Sequence, residues 1–403
     1  MNISLCFPLH DVIRSESLRC YTAAYDMARK RNQQEIARWW LPIFAGTSAA
    51  VVLVVGMYLV SETPAWSLGT TIGYSRPDAA STTATVVTPV PTLDTQAYNI
   101  KLLQLAHVAT SSPWYDAFLN DTTPSTTIKK PLWPIHTTYP NAGAILPFNR
   151  IVAYYGNFYS TAMGVLGEYP PDEMLAHLKA AVQEWQAADP STPVIPAIHY
   201  IVVTAQGSPG KDGMYRARMP DDQIDKALAL AAQVHGLVFL DFQVGLSTVQ
   251  KELPQYEKYL AMPNVEVGID PEFSMKDGTP PGREIGTYSA SDVNWVANYL
   301  ATIVQQNHLA PKILVVHRFT EDMVTGYQNI KPLPEVQIVM DMDGWGFPAK
   351  KVNTYERVIE PEPVQFTGFK LFYKADLQAP DKRLMTPQEV LSLTPAPIYI
   401  QYQ

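Results

Sequence analysis

The sequence predicts an α/β protein built on a (β/α)8 TIM-type barrel, preceded by a single transmembrane helix and a Pro/Thr-rich stalk. Three observations predict it. From residue 150 onward, eight short apolar or β-branched runs alternate with helical patterns over about 250 residues, the grammar and size of such a barrel. Residues 41–60 carry no charge. Between these two regions lies a stretch rich in Thr, Ser, Ala and Pro with few large side chains.

The chain has 403 residues, 47% of them apolar and 17% charged, enough for one large globular domain with appendages. Its net charge of −8 argues against a nucleic-acid partner, which needs a basic face. Both cysteines, Cys6 and Cys20, precede the apolar run, so no disulfide can staple the large domain.

Residues 1–40 are polar and mixed, with a helical pattern over 16–38. The run 41–60, LPIFAGTSAAVVLVVGMYLV, spans about 30 Å as a helix, the thickness of a bilayer's hydrocarbon core. Trp39 and Trp40 flank one end and Tyr58 and Trp66 the other, as an aromatic belt does. Arg29, Lys30, Arg31 and Arg38 precede the run and the next basic residue is Arg76, which predicts a cytoplasmic N-terminus and an extracytoplasmic C-terminal domain. A cleaved signal peptide is the rival reading, but the apolar core is too long for one and starts too late. With both cysteines on the reducing side, the placement is self-consistent. The N-terminal 1–40 segment is then available to a membrane-protein partner.

Residues 61–97 cannot bury enough surface to offset their ordering entropy and read as a flexible linker. Residues 98–149 mix aromatics with prolines, with a short helix expected over 98–109, and read as a cover packed on the following domain. The barrel itself is assigned to 150–403. Its strands are expected at 151–155, 194–204, 237–241, 265–270, 312–319, 336–341, 368–373 and 397–402, each an unbroken run as strands buried on both faces should be. Leu175, Leu178, Val182 and Trp185 form one helical stripe, Ile224, Leu228, Ala231 and Val234 a second. Val293, Val296, Leu300 and Ile303 form a third, opened by a capping-box pattern at Ser289 and Asp292. Weaker helical segments follow strands six and seven, around 350–359 and 386–393. An open doubly wound sheet is the rival architecture, but the first strand runs into YYGNFYSTAMGVLGEY, without the G-x-G-x-x-G spacing of a phosphate turn.

Polar groups gather at the C-terminal ends of these strands, where barrels carry their sites. The carboxylates are Asp241, Asp270, Glu272, Asp341 and Asp343, candidates for catalysis; Tyr154, Tyr155, His199, Gln243, His317, Trp345 and Lys370 are candidates for binding substrate. Carboxyls sharing one cavity repel, so one keeps its proton near neutral pH while another stays charged, the division of labour glycoside hydrolysis needs. Purely structural readings compete. Asp270 before Pro271 also suits a turn cap, Asp341 and Asp343 in DMDGWG suit a turn at Gly344, and His199 and His317 suit barrel-wall positions. His199, Asp241, Asp270 and His317 make a conceivable donor set, but without an H-x-H, H-E-x-x-H or cysteine cluster no metal or other cofactor is assigned.

The stretch 264–273, NVEVGIDPEF, closing in Asp270-Pro271-Glu272, together with VAYYGN on the first strand and Met340-Asp341-Met342-Asp343 on the sixth, resembles the barrel glycoside hydrolases, most nearly the chitinase-like ones of family 18. In that family an Asp-x-Glu ends the fourth strand. The resemblance implies that Glu272 protonates the glycosidic oxygen and Asp270 orients an acetamido group of the substrate. This sequence departs from the family pattern at Gly268 and Val265, where further aspartates are usual, at Met342, where tyrosine is usual, and in its last strand, which lacks tryptophan. The expectation is a membrane-anchored, extracytoplasmic barrel that hydrolyses cell-surface or environmental polysaccharide by carboxylate acid/base catalysis. The alternative is a non-catalytic barrel that binds carbohydrate or organises an envelope assembly.

Overall fold

The computed structural model describes residues 92–403 apart from Thr126 and Ile128. Eight parallel strands form a closed barrel: β1 (Arg150–Gly156), β2 (Val194–Ala205), β3 (Leu237–Phe242), β4 (Val265–Ile269), β5 (Lys312–Arg318), β6 (Val336–Met342), β7 (Phe366–Leu371) and β8 (Tyr399–Tyr402). Each strand pairs with the next in sequence, and β1 pairs with both β2 and β8, so no edge is left open. The expected strand ends shift by no more than about two residues. A short antiparallel strand, Arg216–Arg218, extends β2 beyond the barrel.

Outside the barrel, α3 (Pro171–Ala188), α4 (Asp221–Ala232), α5 (Ala290–Asn307), α6 (Pro348–Thr354) and α7 (Pro387–Leu391) lie along the sequence between strands. Met174, Leu175, Leu178 and Trp185 of α3 are buried against outward-facing strand residues, as are Ile224 and Ala231 of α4 and Val293, Val296 and Leu300 of α5. Val182, Leu228 and Val234 sit at the margins of their stripes, partly buried, while Ala181 and Ala227 are buried in the core. The capping box forms, with Ser289 N donating to Asp292 Oδ2 at 2.8 Å. Between β3 and β4, Pro254 interrupts the helical run, leaving the short turns Val249–Glu252, Leu253–Tyr256 and Glu257–Leu260. After α6 the chain continues as a π-helical turn, Tyr355–Ile359.

The segment before β1 carries α1 (Thr95–Leu105) and α2 (Pro113–Leu119). Asp94 caps α1 by accepting from Ala97 N at 2.9 Å, so three residues expected in the linker, 95–97, are already helical. Tyr98, Leu102, Leu103, Phe118 and Leu146 plug the N-terminal end of the barrel, packing with Ile151, Phe239, Val315, Val339 and Phe366 from inside it. Gln337 pins this plug: its Oε1 accepts from Ile145 N and Leu146 N at 3.1 Å each, and its Nε2 donates to Leu146 O at 2.6 Å. Among the described residues no helix is long and apolar enough to cross a membrane. The predicted spanning segment 41–60, the segment before it and the linker as far as residue 91 lie outside the described residues.

Candidate active site

Alternation along each strand sends every second side chain into the barrel. In the lower half these are apolar except for Glu266 and Gln337; in the upper half the same parity delivers Tyr155, His199, Asp241, His317, Asp341, Lys370, Tyr399 and Gln401, all buried. The centre of the array is Asp241. Its Oδ1 lies 3.2 Å from His199 Nε2 and 3.4 Å from His317 Nε2, and its Oδ2 accepts from Tyr155 OH at 3.0 Å. On the far side of the His317 ring, Nδ1 lies 3.1 Å from Asp341 Oδ2 and 3.4 Å from Asp343 Oδ2. Asp343 Oδ1 pairs with Lys370 Nζ at 3.0 Å, and that ammonium sits 3.9 Å from the centre of the Tyr155 ring. His199 Nδ1 lies 2.6 Å from Tyr399 OH and 3.1 Å from Gln401 Nε2.

Two glycines make room for this array. A Cβ on Gly268, the register partner of Asp241, would fall 2.4 Å from both Asp241 Oδ1 and His199 Nε2. A Cβ on Gly368 would fall 2.5 Å from Asp341 Oδ1. The room a side chain at position 268 would take is filled by the His199–Asp241 pair.

Above this layer the chain leaves β4 through the 3-10 turn Pro271–Phe273. Asp270 Oδ1 accepts from Glu272 N at 3.1 Å, so the turn-cap reading is correct as far as it goes. Its other oxygen faces the mouth, where Gln243 Nε2 lies 3.4 Å away; the same amide donates to Tyr155 OH at 3.1 Å. Glu272 is half-buried, and among the described residues its carboxyl has no side-chain hydrogen-bond partner. Trp345 is exposed on the loop after β6, its ring centre 4.0 Å from Lys350 Nζ.

Burial would raise the Asp241 carboxyl, but its contacts with His199 and His317 prevail and hold it well below the usual range. Burial lowers His199 to about 4, leaving it neutral. Burial also opposes protonation of His317, yet Asp241 and Asp341 outweigh it and hold the imidazole well above its ordinary value. Burial, reinforced by the charges of Asp241 and Asp343, raises Asp270 to about 7. Burial, then the charges of Asp270 and Asp343, raises Glu272 to about 8. The mouth thus combines a charged carboxylate, a charged imidazole and two carboxyls that hold protons near neutrality.

The five candidate carboxyls share one mouth, together with Tyr155, His199, Gln243, His317 and Lys370. Tyr154 does not join them: it is one residue out of phase, faces the helices, bonds Tyr373 OH at 2.8 Å and packs edge-on to Tyr402. Two array members, Tyr399 and Gln401, are absent from the sequence-based candidates. The signal was available in PIYIQY, where a Gln on the same parity as a Tyr interrupts an otherwise apolar buried strand.

No protein-family model matches this chain, and no curated protein matches it. Among solved structures it is similar to the C-terminal domain of Legionella pneumophila ChiA, at 12% identity and TM-score 0.25, over 62% of this chain and 66% of that one. It is also similar to a GH18 chitinase from Pseudoalteromonas aurantia, at 12% identity and TM-score 0.23, over 63% of this chain and 94% of that one. The chain thus spans just under two thirds of the Legionella chain.

Proposed function

We propose that the barrel is a glycoside hydrolase working by carboxylate acid/base catalysis, held outside a membrane by residues 41–60. The observation that carries the reading is the Asp270-Pro271-Glu272 turn. It presents at the mouth a half-buried carboxyl with no side-chain partner, directly above a layer of charged and hydrogen-bonded groups. Glu272, holding its proton to about pH 8, donates it to the leaving glycosidic oxygen. Asp270, steered by Gln243, orients the polar substituent next to the scissile bond. Positive charge developing at the anomeric carbon is met by Asp343, itself restrained by Lys370, while Asp241 and Asp341 fix the His317 ring beneath; water then adds to that carbon and its proton returns to the Glu272 carboxylate. Exposed Trp345 offers a face on which a sugar ring stacks. The substrate class is a β-linked cell-surface or environmental polysaccharide.

Hydrolysis of a panel of β-linked oligosaccharides by the full chain and its Glu272→Gln variant tests the chemistry. Cleavage lost in the variant supports it, cleavage unchanged removes Glu272 from the mechanism, and binding without cleavage by the wild type favours a carbohydrate-binding barrel. The topology has its own test in the native thiols. With the N-terminus cytoplasmic, an impermeant maleimide leaves Cys6 and Cys20 unlabelled in intact cells and labels them after lysis. Labelling in intact cells would contradict the anchor.

A further inference from the structure

The layer beneath Glu272 contains an arrangement that acid/base catalysis does not use. Three donors, His199 Nε2, Asp241 Oδ1 and His317 Nε2, all fully buried, lie within 4.8 Å of one another. His317 Nε2 has no hydrogen-bond partner: it is 3.4 Å from Asp241 Oδ1 but not aligned to bond it. A buried, unpaired ring nitrogen is costly, so a site that keeps one implies a further ligand for it.

The groups behind the donors point the same way. In metal sites the ring nitrogen away from the ion is tied to a carboxylate, carbonyl or other polar group, which fixes tautomer and orientation. Here His317 Nδ1 is tied to Asp341 Oδ2 at 3.1 Å and His199 Nδ1 to Tyr399 OH at 2.6 Å. Gln401 Nε2 donates to that same hydroxyl at 2.8 Å, yet Gln401 Oε1 is buried without a partner. Turned over, the amide would put Oε1 within reach of Tyr399 OH, the hydroxyl oxygen would accept from His199 Nδ1–H, and His199 Nε2 would be bare to bind an ion, while the Gln401 NH2 would take the unpartnered place. The charge balance also favours a cation, since Asp241, Asp341 and Asp343 converge on one imidazole and one ammonium.

We propose that His199 Nε2, Asp241 Oδ1 and His317 Nε2 form a binding site for a divalent first-row transition metal of the zinc class, the ion displacing to solvent the proton that His317 Nε2 carries without it, with Asp341 and the Tyr399–Gln401 pair as its outer support. Two imidazoles and one carboxylate suit zinc and its neighbours better than calcium or magnesium, which prefer all-oxygen shells. The site lies at the floor of the proposed catalytic mouth but does not depend on Glu272 being an acid.

The test is equilibrium dialysis of the full chain against Zn2+, repeated with Co2+ to read visible absorption. The wild type is expected to retain one ion through these donors. His199→Gln and His317→Gln, each checked for fold by circular dichroism, should abolish that binding, and Asp341→Asn should weaken it about 10–100-fold. Glu272→Gln should bind as the wild type does even if it cleaves nothing, which separates this outcome from the fate of the catalytic reading. Should either histidine variant fail to fold, X-ray absorption of the zinc-loaded wild type decides, with two imidazole nitrogens expected at about 2.0–2.1 Å. No ion retained by the folded wild type, retention unchanged in a folded His317→Gln chain, or an ion bound through the sulfurs of Cys6 or Cys20 would overturn the proposal.

Discussion

The two halves of the barrel interior are built by the same eight strands and the same alternation, yet they do opposite things. Below, Ile151, Phe239, Val315, Val339 and Phe366 close against the N-terminal plug. Above, the equivalent parity carries Tyr155, Asp241, His317, Asp341 and Lys370 in contact with one another. Glu266 and Glu272, six residues apart around β4, sharpen the contrast. Burial raises Glu266 to about 7 and Glu272 to about 8, so a shifted acid is not by itself a catalyst. Glu266 is tied to the backbone, its Oε2 accepting from Ile313 N at 2.5 Å, with the Lys312 charge near it. Glu272 is left facing the mouth. Apolar packing is concentrated in the lower half and charge in the upper, where buried charge is tolerated because its partners are also there.

The largest effect that would break this comparison is catalytic. Glu272→Gln should lower turnover of a β-linked oligosaccharide by about 10²–10⁴-fold, the range for a lost general acid. Glu266→Gln should leave turnover unaltered, and initial rates for the two variants side by side check both. Next in size, Phe239→Ala, which empties a fully buried ring site below, should cost about 3–5 kcal/mol in a urea or thermal melt. Smaller again, Gly268→Ala forces a methyl to within 2.4 Å of the His199–Asp241 pair and should destabilise by about 1–3 kcal/mol. Because that clash is in the upper half, turnover should fall as well. The smallest effect belongs to Tyr154→Phe: loss of one hydrogen bond to Tyr373 should cost about 1 kcal/mol with turnover unmoved, since the residue faces the helices. A turnover loss there would return Tyr154 to the site.

Much of the fold was legible because strands buried on both faces read as unbroken apolar runs, and eight of them in sequence leave few architectures. Closure was not written locally; it rests on β1 pairing with β2 and β8, residues far apart in the chain. Parity explains what was read well and what was not. Asp270, Asp341 and Asp343 stand out as charge in or just past buried strands, where it must find partners, though Glu266 shows that partners need not make a site. Tyr154 and Tyr155 are adjacent and chemically identical, and only the pleat separates a packing residue from a site residue. The ties of Asp343 to Lys370 and of His199 to Tyr399 cross between strands, so no local spacing announces them. The space at Gly268 is likewise filled from two other strands, by Asp241 and His199.

The claim that Glu272 is the proton donor is tested most directly by the pH profile of kcat/KM for a β-linked oligosaccharide. A general acid must be protonated, and burial with neighbouring negative charge lifts this one to about 8. The rate should therefore hold through neutral pH on that limb and decline about tenfold per pH unit above roughly pH 8. In Glu272→Gln the alkaline limb should disappear along with most of the rate. An alkaline limb that survives in a fully active Glu272→Gln chain would contradict the account.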